Sequence, residues 1–263
     1  MGRLDNKVCV ITGASTGIGR ATMERLASEG ATVVGCARTQ SKLEEALASA
    51  LALGGRGNVF AGDLKEDGTA VALVADTVKR YGRVDVMVNN AGVGWQYGID
   101  NPGSMNAVHD TSPEWWNDVM ASNLYPYYSC TREALKQMIT QGSGSIVHVA
   151  SMAGLTGLYD GHTYTACKGA IINLSRSIAI TYAKDGIRSN VVAPGFVDTP
   201  MVEAVTPLFE NAEVAARLAP IGRPAAPAEI AAANAFFASD DSSYCSGSTL
   251  LVDGGCTARS FAL

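Results

Sequence analysis

The chain has 263 residues, a formal net charge of −5 and no concentrated run of basic side chains, which argues against a nucleic-acid-binding protein. Its 47% hydrophobic and 17% charged residues predict a folded protein with a sizeable core. No apolar run reaches the length of a membrane span, and the N-terminus lacks the apolar segment of a signal peptide. We therefore expect a cytoplasmic protein that binds neither membranes nor nucleic acids.

The cysteines show neither CxxC spacing nor a paired framework, although the chain has six of them: Cys9, Cys36, Cys130, Cys167, Cys245 and Cys256. Cys9 and Cys36 fall in predicted buried strands. We interpret the set as reduced, small hydrophobic residues rather than as disulfides or metal ligands. No metal site is expected.

Apolar runs and helical patterns alternate along the chain. The runs, several of them rich in β-branched residues, predict strands at 8–11, 32–37, 58–61, 84–89, 145–150, 188–193 and 249–252. Helices are predicted between them at 16–28, 41–52, 66–81, 112–141, 164–183 and 227–239. Ser41 with Glu44 predicts a capping box, and Ser112 before Pro113 predicts an N-cap.

This alternation predicts an α/β fold, a Rossmann-like, doubly wound parallel sheet of about seven strands with helices on both faces. No linker or repeat divides the chain, so residues 1–263 are expected to form a single dinucleotide-binding and catalytic domain. Two connections, 93–111 and 196–224, are unusually long. Loops of that length in a compact domain tend to cover binding sites, so both are predicted to be lid-like.

The first predicted strand runs directly into a glycine-rich turn containing Gly13, Gly17 and Gly19. Glycines there allow a positive φ and close approach of the backbone, and the following helix presents free N–H groups at its N-terminus. The spacing is GxxxGxG rather than GxGxxG. A strand, a glycine turn and a helix in this order predict a phosphate-binding loop, although an ordinary strand-to-helix turn would have the same local sequence.

Tyr164 and Lys168 are four residues apart on a predicted helix, and Ser151 directly follows a predicted strand. Positions i and i+4 share one helix face, so the ammonium of Lys168 should lie beside the phenol of Tyr164. A nearby cation favours the phenolate and lowers its pKa from the usual value of ~10. Tyr164 could then exchange a proton with a carbonyl or alcohol oxygen, and Ser151 could hydrogen-bond the same oxygen.

Together these residues resemble the short-chain dehydrogenase/reductases, in the single-domain branch of that family, and the match runs nearly end to end. The matching motifs are TGxxxGIG at 12–19, Asp63, Asn89-Asn90-Ala91-Gly92, Asn123, Ser151, the Tyr164/Lys168 pair, Pro194-Gly195, Thr199 and Asp253-Gly254-Gly255. Two positions depart from the usual pattern: Ala150 stands where the family often has a first Ser, and Cys167 replaces a frequent Ser. Neither change removes a catalytic group.

The resemblance implies a catalytic set of Asn123, Ser151, Tyr164 and Lys168, in which Asn123 anchors a water and Lys168 also holds the nicotinamide ribose. The resemblance and the arguments from single residues assign to the cofactor Gly13, Ser15, Thr16, Gly17, Ile18, Gly19, Arg38, Asp63, Leu64, Asn90, Ala91, Gly92, Tyr164, Lys168, Pro194, Gly195, Val197 and Thr199. In the family, the counterpart of Asp63 meets the adenine.

The end of the second predicted strand indicates which dinucleotide is used. An acidic residue there would bind the ribose 2′-hydroxyl and repel a 2′-phosphate, but this chain has Ala37 followed by Arg38. A guanidinium suits a phosphate dianion, and Ser15 could add a hydroxyl. We therefore predict NADP(H), with NAD(H) as the alternative because Thr16 is not basic.

The groups expected around the reacting centre are mostly apolar: Trp95, Met152, Ala153, Leu155, Leu158, Tyr159, Phe196 and Met201. Such a wall predicts a neutral, fairly hydrophobic ketone or aldehyde and its alcohol as the small-molecule substrate. Arg217 or Arg223, if turned inward, would instead favour an anionic substrate.

In similar enzymes the long helices 112–141 and 164–183 pair between subunits, and the tail 249–263 often forms a second interface. The resemblance therefore predicts a homo-oligomer, either a tetramer or a dimer.

Three alternatives remain open at this point. One is an NAD(H)-dependent alcohol dehydrogenase or a 3-oxoacyl-type reductase of the same family. Another keeps the fold but changes the reaction to epimerisation or dehydration. The third is a non-catalytic, nucleotide-sensing protein, and the intact Tyr164 and Lys168 argue against it.

Overall fold

Short strands form one seven-stranded sheet in the computed structural model, which describes residues 2–259; the central strands are largely buried and the two edge strands are partly exposed. The strands are β1 (Val8–Thr12), β2 (Thr32–Ala37), β3 (Arg56–Ala61), β4 (Val86–Asn89), β5 (Gly144–Val149), β6 (Ile187–Pro194) and β7 (Thr249–Val252). Their order is β3-β2-β1-β4-β5-β6-β7, and all neighbours pair in parallel. The predicted doubly wound, Rossmann-like fold is confirmed.

The α-helices of the described residues connect these strands and cover the sheet. They are α1 (Gly17–Ser28), α2 (Gln40–Ala52), α3 (Thr69–Tyr81), α4 (Trp95–Asp100), α5 (Pro113–Asn123), α6 (Tyr125–Gln141), α7 (His162–Thr181), α8 (Ala212–Leu218) and α9 (Pro227–Ala238). Successive residues of β1 enter different cores. Cys9 and Ile11 pack with α1 and α9, whereas Val10 packs with α3 and α6. Burial on both faces explains why the strand sequences lack polar alternation.

The prediction of a single helix at 112–141 is wrong, because the chain forms two helices, α5 and α6, with a break at Leu124. Pro126 has no backbone N–H to continue the α5 ladder, and the N–H groups of Tyr127 and Tyr128 bond instead to the carbonyl of Leu124. The Ser112 cap before α5 is confirmed, since its side chain accepts a hydrogen bond from the Trp115 N–H. The Ser41 cap is wrong, because α2 begins one residue earlier, at Gln40.

The two long connections contain short elements of their own. Segment 93–111 holds α4 and a turn of 3₁₀ helix at Val108–Asp110, and segment 196–224 holds α8 and two 3₁₀ turns. Among the described residues, no helix combines the length and the hydrophobicity needed to cross a membrane. Residues 260–263 of the predicted second interface lie outside the described residues.

Candidate active site

The glycine turn between β1 and α1 is shaped by close backbone contacts. Gly13 and Gly17 adopt φ of +66° and +53°, the left-handed region that favours glycine. A Cβ on Gly19 would lie 2.1 Å from the carbonyl oxygen of Gly13, so no side chain fits there. Thr16, at the N-cap position of α1, makes no side-chain capping bond, which leaves the first N–H groups of a twelve-residue helix available to an anion.

The loop after β4 is fastened to this turn. The Thr12 hydroxyl oxygen accepts hydrogen bonds from the N–H groups of Asn90 (2.9 Å) and Ala91 (3.0 Å). The Asn90 amide donates in turn to the Thr12 carbonyl at 3.1 Å. The ends of β1 and β4 therefore form one rigid rim, where the carboxyl ends of parallel strands commonly bind ligands.

A cavity of about 330 Å³ opens along this rim. Twelve of the residues predicted to bind the cofactor line it: Gly13, Ser15, Thr16, Gly17, Ile18, Arg38, Asp63, Leu64, Asn90, Ala91, Gly92 and Thr199. Its wall also includes residues that the sequence interpretation missed, among them Thr39, Lys42 and Lys65. Lys65 lies just beyond the carboxyl end of β3, and that position is the signal that could have identified it.

The remaining predicted cofactor residues do not line this cavity. Gly19 lies inside α1, Val197 is buried at 4% exposure, and Gly195 faces a second cavity. Pro194 ends β6. The glycine cradle, the uncapped helix N-terminus and the basic side chains at the far end together fit a nicotinamide dinucleotide.

Tyr164 and Ser151 line the second cavity, of about 270 Å³, and Met201 borders both cavities. Ser151 follows β5, and its oxygen accepts a hydrogen bond from the Ala153 N–H at 3.1 Å. Its hydroxyl proton can therefore be donated to a substrate oxygen. Tyr164 is in the first turn of α7, one helical turn before Lys168.

Burial raises the pKa of Tyr164 above its ordinary value of 10, while the hydroxyl of Ser151 acts to lower it. The Lys168 ammonium lies 5.4 Å from the centre of the Tyr164 ring. In the protein alone, Tyr164 is thus a protonated phenol and a proton donor. The sequence-based expectation that Lys168 lowers the pKa of Tyr164 is therefore wrong for the protein alone.

Lys168 is buried behind Tyr164, with 5% of its surface exposed. Its Nζ donates to the hydroxyl of Tyr127 and to the carbonyl of Val149, both at 3.2 Å. Burial lowers the pKa of Lys168 from 10.5 to about 8. Asn123 ends α5, and its Oδ1 accepts a hydrogen bond from the Val93 N–H at 3.0 Å. Ser151 and Tyr164 thus line the second cavity, whereas Asn123 and Lys168 line neither cavity. A Cβ on Gly92, which lines the first cavity, would lie 2.6 Å from Asn123 Oδ1 and 3.9 Å from Lys168 Nζ.

The second cavity has a largely apolar wall. Six of the predicted substrate residues lie in it: Trp95, Met152, Ala153, Leu158, Phe196 and Met201. The prediction that Leu155 and Tyr159 line the site is wrong, because neither lines this cavity; Leu155 is half exposed and Tyr159 is fully exposed. Further wall residues come from segments without a readable pattern: Gly98, Ile99, Met105, Asn106, Asp160 and Val202.

The chain matches the protein family described as enoyl-(acyl carrier protein) reductase over residues 13–257. It is 40% identical over 254 residues to cis-4-hydroxycyclohexanecarboxylate dehydrogenase of Sinomonas cyclohexanicum, covering 96% of this chain and 97% of that protein. It is 37% identical over 254 residues to a 3-oxoacyl-(acyl-carrier-protein) reductase of Thermotoga maritima, covering 96% and 98%. The chain belongs to the short-chain dehydrogenase/reductase family.

Solved structures of this family agree with the fold. Levodione reductase superposes with a TM-score of 0.89 at 32% identity, covering 98% of this chain and 100% of that one. A variant of actinorhodin polyketide ketoreductase, solved with NADPH, gives a TM-score of 0.87 at 32% identity over 96% and 98% of the two chains. This short-chain dehydrogenase/reductase is accordingly an oxidoreductase that acts on CH–OH and C=O groups with NAD(P)(H).

Proposed function

We propose that this enzyme uses NADP(H) to interconvert a neutral, fairly hydrophobic ketone or aldehyde and the corresponding alcohol. The observation that carries this proposal is the composition of the cavity beside Ser151 and Tyr164. Of the described residues that line it, only Tyr164 and Asp160 have ionisable side chains. An anionic substrate would find no cation in this wall and would meet the carboxylate of Asp160, so neutral substrates are favoured.

Arg217 and Arg223, either of which would favour an anionic substrate if it reached the cavity, form ion pairs on the protein surface instead. Arg217 pairs with Glu213 at 2.6 Å, and Arg223 pairs with Glu229 at 2.7 Å. All four side chains are on the surface, and neither arginine lines the cavity. An inward movement of either arginine would have to break an ion pair.

The proposed roles follow from the positions of the side chains. Ser151 donates its hydroxyl proton to the substrate oxygen and fixes its orientation. Tyr164 gives that oxygen a proton during reduction and takes one from the alcohol during oxidation. Lys168 keeps a positive charge beside the phenol, and Asn123 holds the start of segment 93–111 through the Val93 N–H. The bound nicotinamide supplies or accepts the hydride.

The preference for NADP(H) is supported by the first cavity, here called the cofactor cavity, at its end beyond β2. Arg38, Lys42 and Lys65 all line it, whereas the end of β2 carries Ala37 in place of an acidic residue. Neither Arg38 nor Lys42 forms an ion pair with any residue between 2 and 259. Charge-assisted hydrogen bonds of about 1.5–3 kcal/mol each would give a clear preference for a 2′-phosphate.

The cofactor proposal is tested by steady-state kinetics with both dinucleotides. Wild-type enzyme should have the higher kcat/KM with NADP(H), and Arg38→Ala should reduce that preference by about tenfold or more. Arg176→Ala, on α7 and outside the cofactor cavity, is the control. Equal or better use of NAD(H) by the wild-type enzyme would refute the assignment.

The substrate proposal is tested with a panel of neutral ketones and β-keto acids of matched size, together with acyl thioesters. The enzyme should have its highest kcat/KM for neutral cyclic or aryl ketones and lower values for β-keto acids and acyl thioesters. Asp160→Asn should raise activity with the acids selectively, because it removes the repelling carboxylate. A preference for the charged set or the thioesters would support the alternative of a 3-oxoacyl-type reductase, the activity named for the Thermotoga relative.

We also propose that residues 1–263 act as one catalytic domain in the cytoplasm and assemble into a tetramer. The apolar side chains exposed on α6 and α7, including Tyr128, Ile139 and Ile180, support an assembly through these helices. The buried Cys9 and Cys36 thiols suit a reducing compartment. Light scattering at micromolar concentration should give a tetramer or a dimer, and a monomer would contradict the assembly.

A further inference from the structure

Tyr127 is a fully buried tyrosine directly behind the lysine of the active site. It lies in the first turn of α6, four residues after Asn123 and just past the break at Leu124. Its hydroxyl donates to the Val149 carbonyl at 2.6 Å and accepts a hydrogen bond from Lys168 Nζ at 3.2 Å. Nζ also donates to the same Val149 carbonyl, so the three groups form a closed triangle.

No carboxylate of residues 2–259 forms an ion pair with Lys168. The titratable groups that face it are Tyr164 and Cys167 on its own helix, Tyr127 on α6 and His148 on β5. The buried ammonium is thus held by two neutral oxygens rather than by a counter-ion. When a buried charge has so few partners, each acceptor has a large effect on its ionisation.

The environment keeps Tyr127 and His148 neutral. Burial raises the pKa of Tyr127 well above 10, so its proton stays on the phenol and is shared with Val149. Burial, helped by the positive Lys168, lowers the pKa of His148 to about 3. The His148 ring stacks on Tyr127, with centroids 5.9 Å apart, and so restricts the phenol. The oxygen of Tyr127 is therefore a fixed acceptor aimed at Lys168.

We propose that Tyr127 is a positioning residue of the active site, whose phenol oxygen keeps Lys168 protonated and directed towards Tyr164. Tyr127 lines neither cavity and acts through Lys168. By this route it sets the upper end of the pH range over which the Tyr164 phenol exchanges its proton. The proposal rests on the proposed function only where turnover is the readout.

Tyr127→Phe removes the acceptor without changing the size of the side chain, and Lys168 keeps its bond to Val149, so the fold should be retained. Tyr128→Phe, the neighbouring tyrosine with its side chain half exposed, is the matched control. In Tyr127→Phe, the alkaline limb of the kcat profile for ketone reduction should move about one pH unit lower. The control should overlay the wild type. A uniform loss of kcat with no movement of the limb would overturn the proposal.

Two readouts do not depend on turnover. The lysine side-chain resonance that disappears in Lys168→Ala is assigned by NMR, and its titration midpoint should fall in Tyr127→Phe. The Kd for the cofactor, followed by fluorescence, should rise several-fold at pH 9 and little at pH 6. In a Lys168→Ala background, adding Tyr127→Phe should leave that Kd unchanged. An unmoved midpoint, or additive losses in the double variant, would contradict the proposal even if no ketone proved to be a substrate.

Discussion

Lys168 is held in the active site at a cost in stability. Its pKa is lowered from 10.5 to about 8 by burial, which means that the folded state disfavours the charged amine. A folded pKa below the unfolded one gives a penalty that is complete below pH 8 and disappears as the pH rises towards 10.5. A shift of this size corresponds to about 3 kcal/mol at neutral pH.

Lys168→Met should therefore stabilise the cofactor-free protein at pH 7 by roughly 1–3 kcal/mol while abolishing turnover. Part of the gain is offset by the lost hydrogen bonds to Tyr127 and Val149. Denaturant unfolding at pH 7 and pH 10 measures the difference in unfolding free energy between the variant and the wild type. This difference should be smaller at pH 10. A variant that is less stable than wild type at pH 7 would contradict the account of the buried charge.

His148 makes the stability of the fold depend on pH in the acidic range. It is fully buried, its Nδ1 lies 3.3 Å from the Asn89 amide nitrogen, and its Nε2 has no partner among the described residues. With a pKa near 3 in the folded state and about 6.5 unfolded, stability is lost as the pH falls through this window. His148→Leu should reduce the slope of unfolding free energy between pH 6 and pH 4 by about 1.4 kcal/mol per pH unit. The exposed His109→Leu is the control, and equal slopes in wild type and His148→Leu would refute this.

The sequence predicts some of these residues and not others. Ser151, Tyr164 and Lys168 could be grouped because helical spacing and the end of a strand fix where they lie. Tyr127 could not be assigned, because its role depends on how α6 packs against β5. For His148, its position within a strand could not show that only one of its two ring nitrogens has a partner among the described residues.

Among the elements, α4 connects the wall of the second cavity, through Asp118, to a lysine that lines the first. Trp95 and Ile99 on this helix line the substrate cavity. Tyr97, on the same helix, donates to Asp118 of α5 at 2.5 Å. The other carboxylate oxygen of Asp118 pairs with Lys65, which lines the cofactor cavity. Burial and Asp118 together raise the pKa of Tyr97 to about 12, so the phenol remains a donor.

Tyr97→Phe removes the hydrogen bond that fixes α4 to Asp118. It should raise KM for the ketone about 3–10-fold and leave kcat within a factor of two, because this bond holds the cavity wall in place and does not contact a reacting group. Tyr244→Phe is the control, since Tyr244 is fully exposed and lines neither cavity. Steady-state kinetics on the three proteins give the comparison. An unchanged KM in Tyr97→Phe would show that this contact does not shape the cavity.

The break between α5 and α6 shows what the helical pattern could not predict. Residues 112–141 form a continuous helical pattern, and Pro126 was the available sign of an interruption. The contacts made by the end of segment 93–111 could not be predicted either. Its Met105 carbonyl accepts from the Gly161 N–H, and its Val108 N–H donates to His162. Such contacts between distant segments leave no periodic signal in the sequence.

At the scale of the whole molecule, the sequence predicted the fold well. Strands β2 and β7 have the predicted bounds, although β2 is a buried run of apolar residues and β7, at the edge of the sheet, is partly exposed. The sheet order brings β1 and β4 side by side, so the phosphate-binding turn and the Asn90 loop meet at one edge. The wall of the substrate cavity was less predictable, since much of it comes from segments 93–111 and 196–224.

The proton transfer assigned to Tyr164 is the central claim, and loss of nicotinamide absorbance in the presence of a neutral ketone tests it most directly. Tyr164→Phe should fold, bind NADPH with near-wild-type Kd and lose roughly 10²–10⁴-fold in kcat. Tyr159→Phe, a fully exposed tyrosine five residues earlier, should turn over like wild type. Near-wild-type turnover by Tyr164→Phe would contradict the assignment of Tyr164 as the proton donor.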